Sequence, residues 1–83
     1  MKEIRWNSDK NIERKKERNI SFEELFASRF IGIEEHPKAK HQRLMLFEHK
    51  NYVWVVPYVT EEDYLFLKTA FPSRKFTKKY LKE

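Results

Sequence analysis

Arg74, Lys75, Lys78, Lys79 and Lys82 stand at i, i+1, i+4, i+5 and i+8 in the terminal stretch PSRKFTKKYLKE, which aligns five cations along one face of a helix. Phe76, Thr77, Tyr80 and Leu81 take the opposite face. Such a helix can dock through its aromatic side and hold a row of positive charge outward, with no Asp or Glu between the cations. The chemistry open to that row is recognition of an anion, and a ligand with repeated phosphates fits it best.

His36, His41 and His49 are the side chains that titrate near neutrality. His36 and His41 lie five apart in the loop EEHPKAKH with no third ligand, so neither a metal site nor a cofactor is expected. His41 opens the segment that carries Arg43, which makes it the first choice for acid or base work. Gly32 is the one glycine, and HExxH, CxxC and GxSxG are absent, which excludes a glycine-rich phosphate loop and most familiar hydrolase sites. Metal-independent RNA cleavage stays open: the 2′-hydroxyl is the nucleophile, and the protein must bend the phosphate and stabilise a dianionic phosphorane.

These residues need elements to hold them. Eighty-three residues make one small domain without cysteine, so no disulfide supports it. No stretch is long and apolar enough to span a membrane, and a cytoplasmic protein is expected. The net charge of +5 is unevenly spread, with seven cations against four acids in residues 1–20, five against eight in 21–63, and six against one in 64–83. KEIRW reads as an edge strand over Lys2–Trp6, followed by a charged helix from Asp9 to Arg18 whose apolar content is nearly confined to Ile12. Asn19 suits a helix C-terminus, and Ser21-Phe22-Glu23-Glu24 is a capping box that opens a second helix. A brief apolar run, FIGI, precedes the polar loop. Three strands then follow, Gln42–His49, Tyr52–Val59 and Tyr64–Phe71, as an antiparallel meander. Pro57 needs an edge or a bulge, and Ser73 caps the terminal helix.

Period-two spacing separates two faces of the meander. Leu44, Leu46, Val53, Val55, Val59, Leu65, Leu67 and Phe71 form an aliphatic side, expected to be the main core. Arg43, Met45, Phe47, His49, Tyr52, Trp54, Tyr58, Phe66 and Lys68 form an aromatic and cationic side. Rings between cations suit single-stranded RNA, with Trp54 and Tyr58 as stacking platforms; the plainer alternative is a second small core under the terminal helix.

IRWNSDKN followed by NISFEEL resembles the amino-terminal signature of BrnT-type toxins, and PSRKFTKKYL resembles that family's basic terminus. Trp6, Lys10 and Asn11 match the opening motif, Ser21 to Glu24 the SFEE motif, and Arg74, Lys75, Thr77 and Lys78 the terminal helix; Glu17-Arg18-Asn19 stands where the family pattern has Lys-His-Gly. The resemblance implies a RelE-like fold and a metal-independent endoribonuclease of a type II toxin–antitoxin system. It also implies a cognate DNA-binding antitoxin that silences the toxin in a hetero-oligomer. The expectation is therefore an α+β fold ordered β-α-α-β-β-β-β-α, with an antiparallel sheet, two N-terminal helices on one face and a short basic C-terminal helix. In an RNA-cleaving site Arg74 would stabilise the pentavalent phosphate, Lys68 and Arg43 would hold neighbouring phosphates, and His41 would move a proton. Lys75, Lys78 and Lys79 would position the RNA backbone. The alternative function is a non-catalytic nucleic-acid or protein-binding module that keeps only the antitoxin interface.

Overall fold

The computed structural model describes residues 3–18 and 20–81, with the side chains of residues 10, 13, 14, 17 and 18 outside the description. The proposed strand start at Lys2, the helix end at Asn19, the Lys10 side chain and Lys82 of the cationic row therefore fall outside it. In chain order the elements are β1 (Glu3–Trp6), α1 (Ser8–Arg18), α2 (Phe22–Phe26), β2 (Arg29–Glu35), β3 (Gln42–His49), β4 (Tyr52–Thr60), β5 (Tyr64–Leu67), β6 (Phe71–Pro72) and α3 (Arg74–Tyr80).

The α+β expectation is corrected: the chain is mostly β, built on one six-stranded sheet with short helices attached. Strand order is β1-β5-β4-β3-β2, with β6 also pairing β4. FIGI is no brief run but the middle of a seven-residue strand, because β2 continues through Glu34 and Glu35 along the sheet edge, where charged side chains reach water. The two N-terminal helices do not form a layer together either. α2 supplies Phe22 and Leu25 to the core, whereas Ile12 of α1 is 56% exposed, and among the described side chains of α1 buried Asn11 and Lys15, which donates to Glu24, tie it to α2. Asn11 Nδ2 donates to Glu23 Oε1 at 2.8 Å, and its Oδ1 accepts from Phe22 N at 2.9 Å.

Local signals explain the joins. Lys50 and Asn51 both adopt left-handed backbone, at φ 53° and 63°, which the two-residue turn between β3 and β4 demands. Ser21 Oγ accepts from Glu24 N and Ser73 Oγ accepts from Phe76 N, so both expected helix caps form. β3, β4 and β5 are antiparallel, and β1 lies parallel to β5 at the other edge, a crossover the intervening elements make possible. The third meander strand is broken into β5 and β6. Val53 C=O accepts from Ser73 N, and Pro57 C=O accepts from Lys68 N. Both residues thus turn their backbone toward the β5–β6 side, and the break falls where Pro57 has no N–H to offer.

Each face of the sheet carries a packed cluster, and their relative weight is the reverse of that expected. The larger cluster is the aromatic side: Met45, Phe47, Val56, Tyr58 and Leu67 pack with Ile20, Phe22, Leu25 and Ala70, and Trp6, Trp54 and Leu65 lie against it. The smaller cluster is the aliphatic side, with Leu44, Leu46, Val53 and Val55 under Phe76 and Leu81 of the α3 segment. Leu65 and Leu67 belong to the aromatic side because Tyr58 pairs with Leu67, so side chains of the two share a face. Large rings bury most area per residue, and α2 brings two further apolar side chains onto them.

Candidate nucleic-acid interface

On the α3 side of the sheet, Glu34 lies beside Leu44 in the β2–β3 register and Leu44 beside Pro57. α3 crosses these strands. Phe76 and Leu81 pack downward, and Thr77 Oγ1 accepts from Val53 N at 2.9 Å and donates to Ser73 O at 2.6 Å. That docking divides the cationic row. Lys75 and Lys79 fall on the flank toward β2, and Arg74 and Lys78 do not line the space there.

Between that flank and the β2–β3 loop lies a cleft of about 480 Å³, lined by Glu34, Glu35, His36, Pro37, Lys38, Leu44, Phe71, Lys75, Phe76 and Lys79. Its floor is apolar and its rim carries three lysines, one imidazole and two carboxylates. Lys79 Nζ donates to Glu34 Oε2 at 2.9 Å, and the Tyr80 hydroxyl donates to the same oxygen. The hydroxyl first and the ammonium second hold the Glu34 carboxyl below the usual carboxylate range, while Glu34 in turn raises Lys79 and Tyr80. The row is therefore not free of acids, as the local sequence implied: Glu34 arrives from β2. His36 Nδ1 accepts from both Lys38 N at 3.0 Å and Ala39 N at 2.9 Å. A neutral His36 consequently carries its proton on Nε2.

Of the residues expected to act on RNA, Lys75 and Lys79 line this cleft, and Lys78 stands exposed beside them on α3. Arg74 occupies the first turn of α3, and Lys68 follows β5, exposed, with Nζ 5.9 Å from the Phe66 ring centre. Arg43 is exposed on β3 opposite Tyr58, on the α2 side of the sheet, and His41 is exposed in the turn before β3. None of these four lines the cleft: Arg74 stands on α3, Arg43 on β3, Lys68 in the segment after β5 and His41 in the turn before β3. Tyr58, 4% exposed, belongs to the core, so its ring is closed to a base, and half-buried Trp54 packs on the same cluster.

Glu34, His36 and Lys38 were not singled out as site residues by the sequence. His36 was visible as a titratable residue, but its backbone contacts needed the loop geometry; Glu34 became relevant only through a partner 45 residues away. No protein-family model, curated protein or solved structure matches this chain. No helix among the described residues is long and apolar enough to cross a membrane.

Proposed function

We propose that the chain binds single-stranded RNA in the cleft beside α3 and cleaves it through the 2′-hydroxyl, as the toxin of a cytoplasmic type II toxin–antitoxin pair. The observation that carries the RNA reading is the joining of an apolar floor, Phe71 and Phe76, to a rim of Lys38, Lys75 and Lys79. A base is accepted by apolar surface and a phosphate by the lysines. The toxin reading rests on the resemblance of IRWNSDKN, NISFEEL and PSRKFTKKYL to BrnT-type toxins, and with it come the cognate antitoxin and the hetero-oligomer.

In the cleavage step the 2′-oxygen forms a bond to phosphorus and the bond to the 5′-oxygen breaks. Lys75 and Lys79 stabilise the added charge on the phosphorane. A phosphate entering between them competes with Glu34 for Lys79, which frees the ionised carboxylate to take the 2′-hydroxyl proton. His36, its Nδ1 held by the Lys38 and Ala39 amides, donates a hydrogen bond from Nε2 to a phosphorane oxygen, and the leaving 5′-oxygen takes its proton from water. Arg74, Lys78 and Lys68 lie outside the cleft and guide the flanking backbone, and Arg43 and His41 have no part in this step.

The test is incubation of the purified chain with labelled single-stranded RNA in the presence of a metal chelator. Products ending in a 2′,3′-cyclic phosphate are expected, with no cleavage of the same RNA carrying 2′-O-methyl groups. Cleavage of the methylated strand would overturn 2′-hydroxyl attack. Salt-dependent binding without any cleavage would replace the enzyme with the non-catalytic binding module.

A further inference from the structure

β2 forms an open edge of the sheet, and next to it lies an apolar surface that no described element covers. Phe30 and Ile33 are 52% and 51% exposed, and Phe26 at 36% adjoins them through Phe47. In a regular strand residues three apart point to opposite faces. Here the β2–β3 register slips between Phe30 and Gly32, so Phe30 pairs with Phe47 and Ile33 with Met45, and both side chains share the α2 side.

The same slip fixes where their backbones point. Val53 directs its N–H and C=O toward α3 and β6. Alternation then turns Trp54, Val56 and Tyr58 toward β3, and Leu44, Leu46 and Glu48 toward β2. Their partners Glu34, Gly32 and Arg29 bond inward, which leaves the amides and carbonyls of Phe30 and Ile33 facing out.

We propose that this edge pairs with the β2 of a second copy of the chain, antiparallel, with Phe30 opposite Ile33 of the second copy. β2 is self-complementary in that register. Phe30 and Ile33 can exchange both backbone hydrogen bonds, and their side chains meet on one face. One step outward, Arg29, which also donates to Glu48 at 2.7 Å, faces Glu34 of the second copy, the carboxylate that Lys79 and Tyr80 hold within its own chain, and both side chains lie on the α3 side, so opposite charges adjoin at both ends. At the centre Gly32 has nothing within 4 Å of where a Cβ would stand, which leaves room for Ile31 of the second copy. The two-fold axis is perpendicular to the sheet, so both α3 helices and both clefts end on the same side of one continuous sheet.

The measurement is sedimentation equilibrium of the full chain, with a mass twice the 10.3 kDa protomer expected. Ile33→Lys, at a half-exposed position, should weaken association by at least about tenfold and keep the near-ultraviolet spectrum of the fold. Register is tested with cysteine, which the chain lacks. Oxidation of mixed Phe30→Cys and Ile33→Cys proteins should give a disulfide between the two variants, because opposed residues in a hydrogen-bonded pair lie about 5.5 Å apart at Cα, within disulfide reach. Either variant alone should crosslink far less. A protomer mass at every concentration overturns the proposal, as does a dimer that Ile33→Lys leaves intact or one that crosslinks equally in every combination. None of these readouts involves RNA.

Discussion

Lys79 of α3 and Glu34 of β2 form the link that ties the terminal helix to the sheet edge, with Nζ 2.9 Å from Oε2 and the Tyr80 hydroxyl on the same oxygen. α3 is thereby held at two places, by Phe76 and Thr77 over the central strands and by this clamp at the rim. The clamp also sets the charge of the cleft: with Glu34 ionised, Lys79 is neutralised until an anion displaces the carboxylate.

The clamp should give α3 a bell-shaped pH dependence. Glu34 has a depressed folded value, so its contribution is present above the ordinary carboxylate range and is lost as pH falls through that depressed value. Lys79 and Tyr80 have raised values, so theirs is present below their ordinary ranges and lost as pH rises through the raised ones. The melting temperature of Glu34→Gln should therefore approach that of the unaltered chain at low pH and fall below it near neutrality. Parallel curves across the acid range would mean that the clamp contributes nothing.

Lys75 and Lys79 should matter more for RNA than Arg74 and Lys78, although all four are cations of one short helix. If the cleft holds the phosphates, the double change Lys75→Gln with Lys79→Gln should flatten the salt dependence of binding to single-stranded RNA by roughly 1.4, from about −0.7 per contact. Arg74→Gln with Lys78→Gln should flatten it by clearly less. Equal slopes for the two doubles would place the RNA along the outer face of the helix.

His36→Ala should separate chemistry from binding. Loss of a hydrogen-bond donor to the phosphorane lowers the cleavage rate on the order of 10²-fold or more, while affinity for the uncleavable methylated RNA should stay nearly unchanged. An undiminished rate would remove His36 from the transition state.

Much of the chain's local structure could be read from its residues because the cause is local. Lys50-Asn51 makes the hairpin, and Ser21 and Ser73 cap their helices; Pro57, expected at an edge or a bulge, stands instead in central β4 opposite Leu44. What escaped depends on long-range placement. Alternation shows that Phe47, Trp54 and Tyr58 share a face, but not that α2 covers it. Glu34 and Glu35 look like loop residues until β2 is seen to run along an edge. The cleft has the same origin, since it joins β2, its following loop and α3, residues 34 to 79, through docking that no single segment encodes.

Asn11 carries the last prediction, because it does for α1 what an apolar residue does elsewhere. Its exposure is 7%, and one amide serves two partners, the Phe22 N–H through Oδ1 and Glu23 Oε1 through Nδ2. This bond is the leading cause that keeps the Glu23 carboxyl below its ordinary range. Asn11→Ala removes the acceptor from a buried amide and should cost about 1–3 kcal/mol. Asn11→Asp keeps an acceptor for Phe22 but sets a second carboxylate against Glu23. It should therefore be destabilised near neutrality and recover as acid protonates one of the pair, whereas Asn11→Ala should show no such recovery. Chemical denaturation of both variants at neutral and acid pH measures the difference. If both lose the same stability at every pH, the hydrogen bond to Glu23 is incidental and Asn11 acts through Phe22 alone.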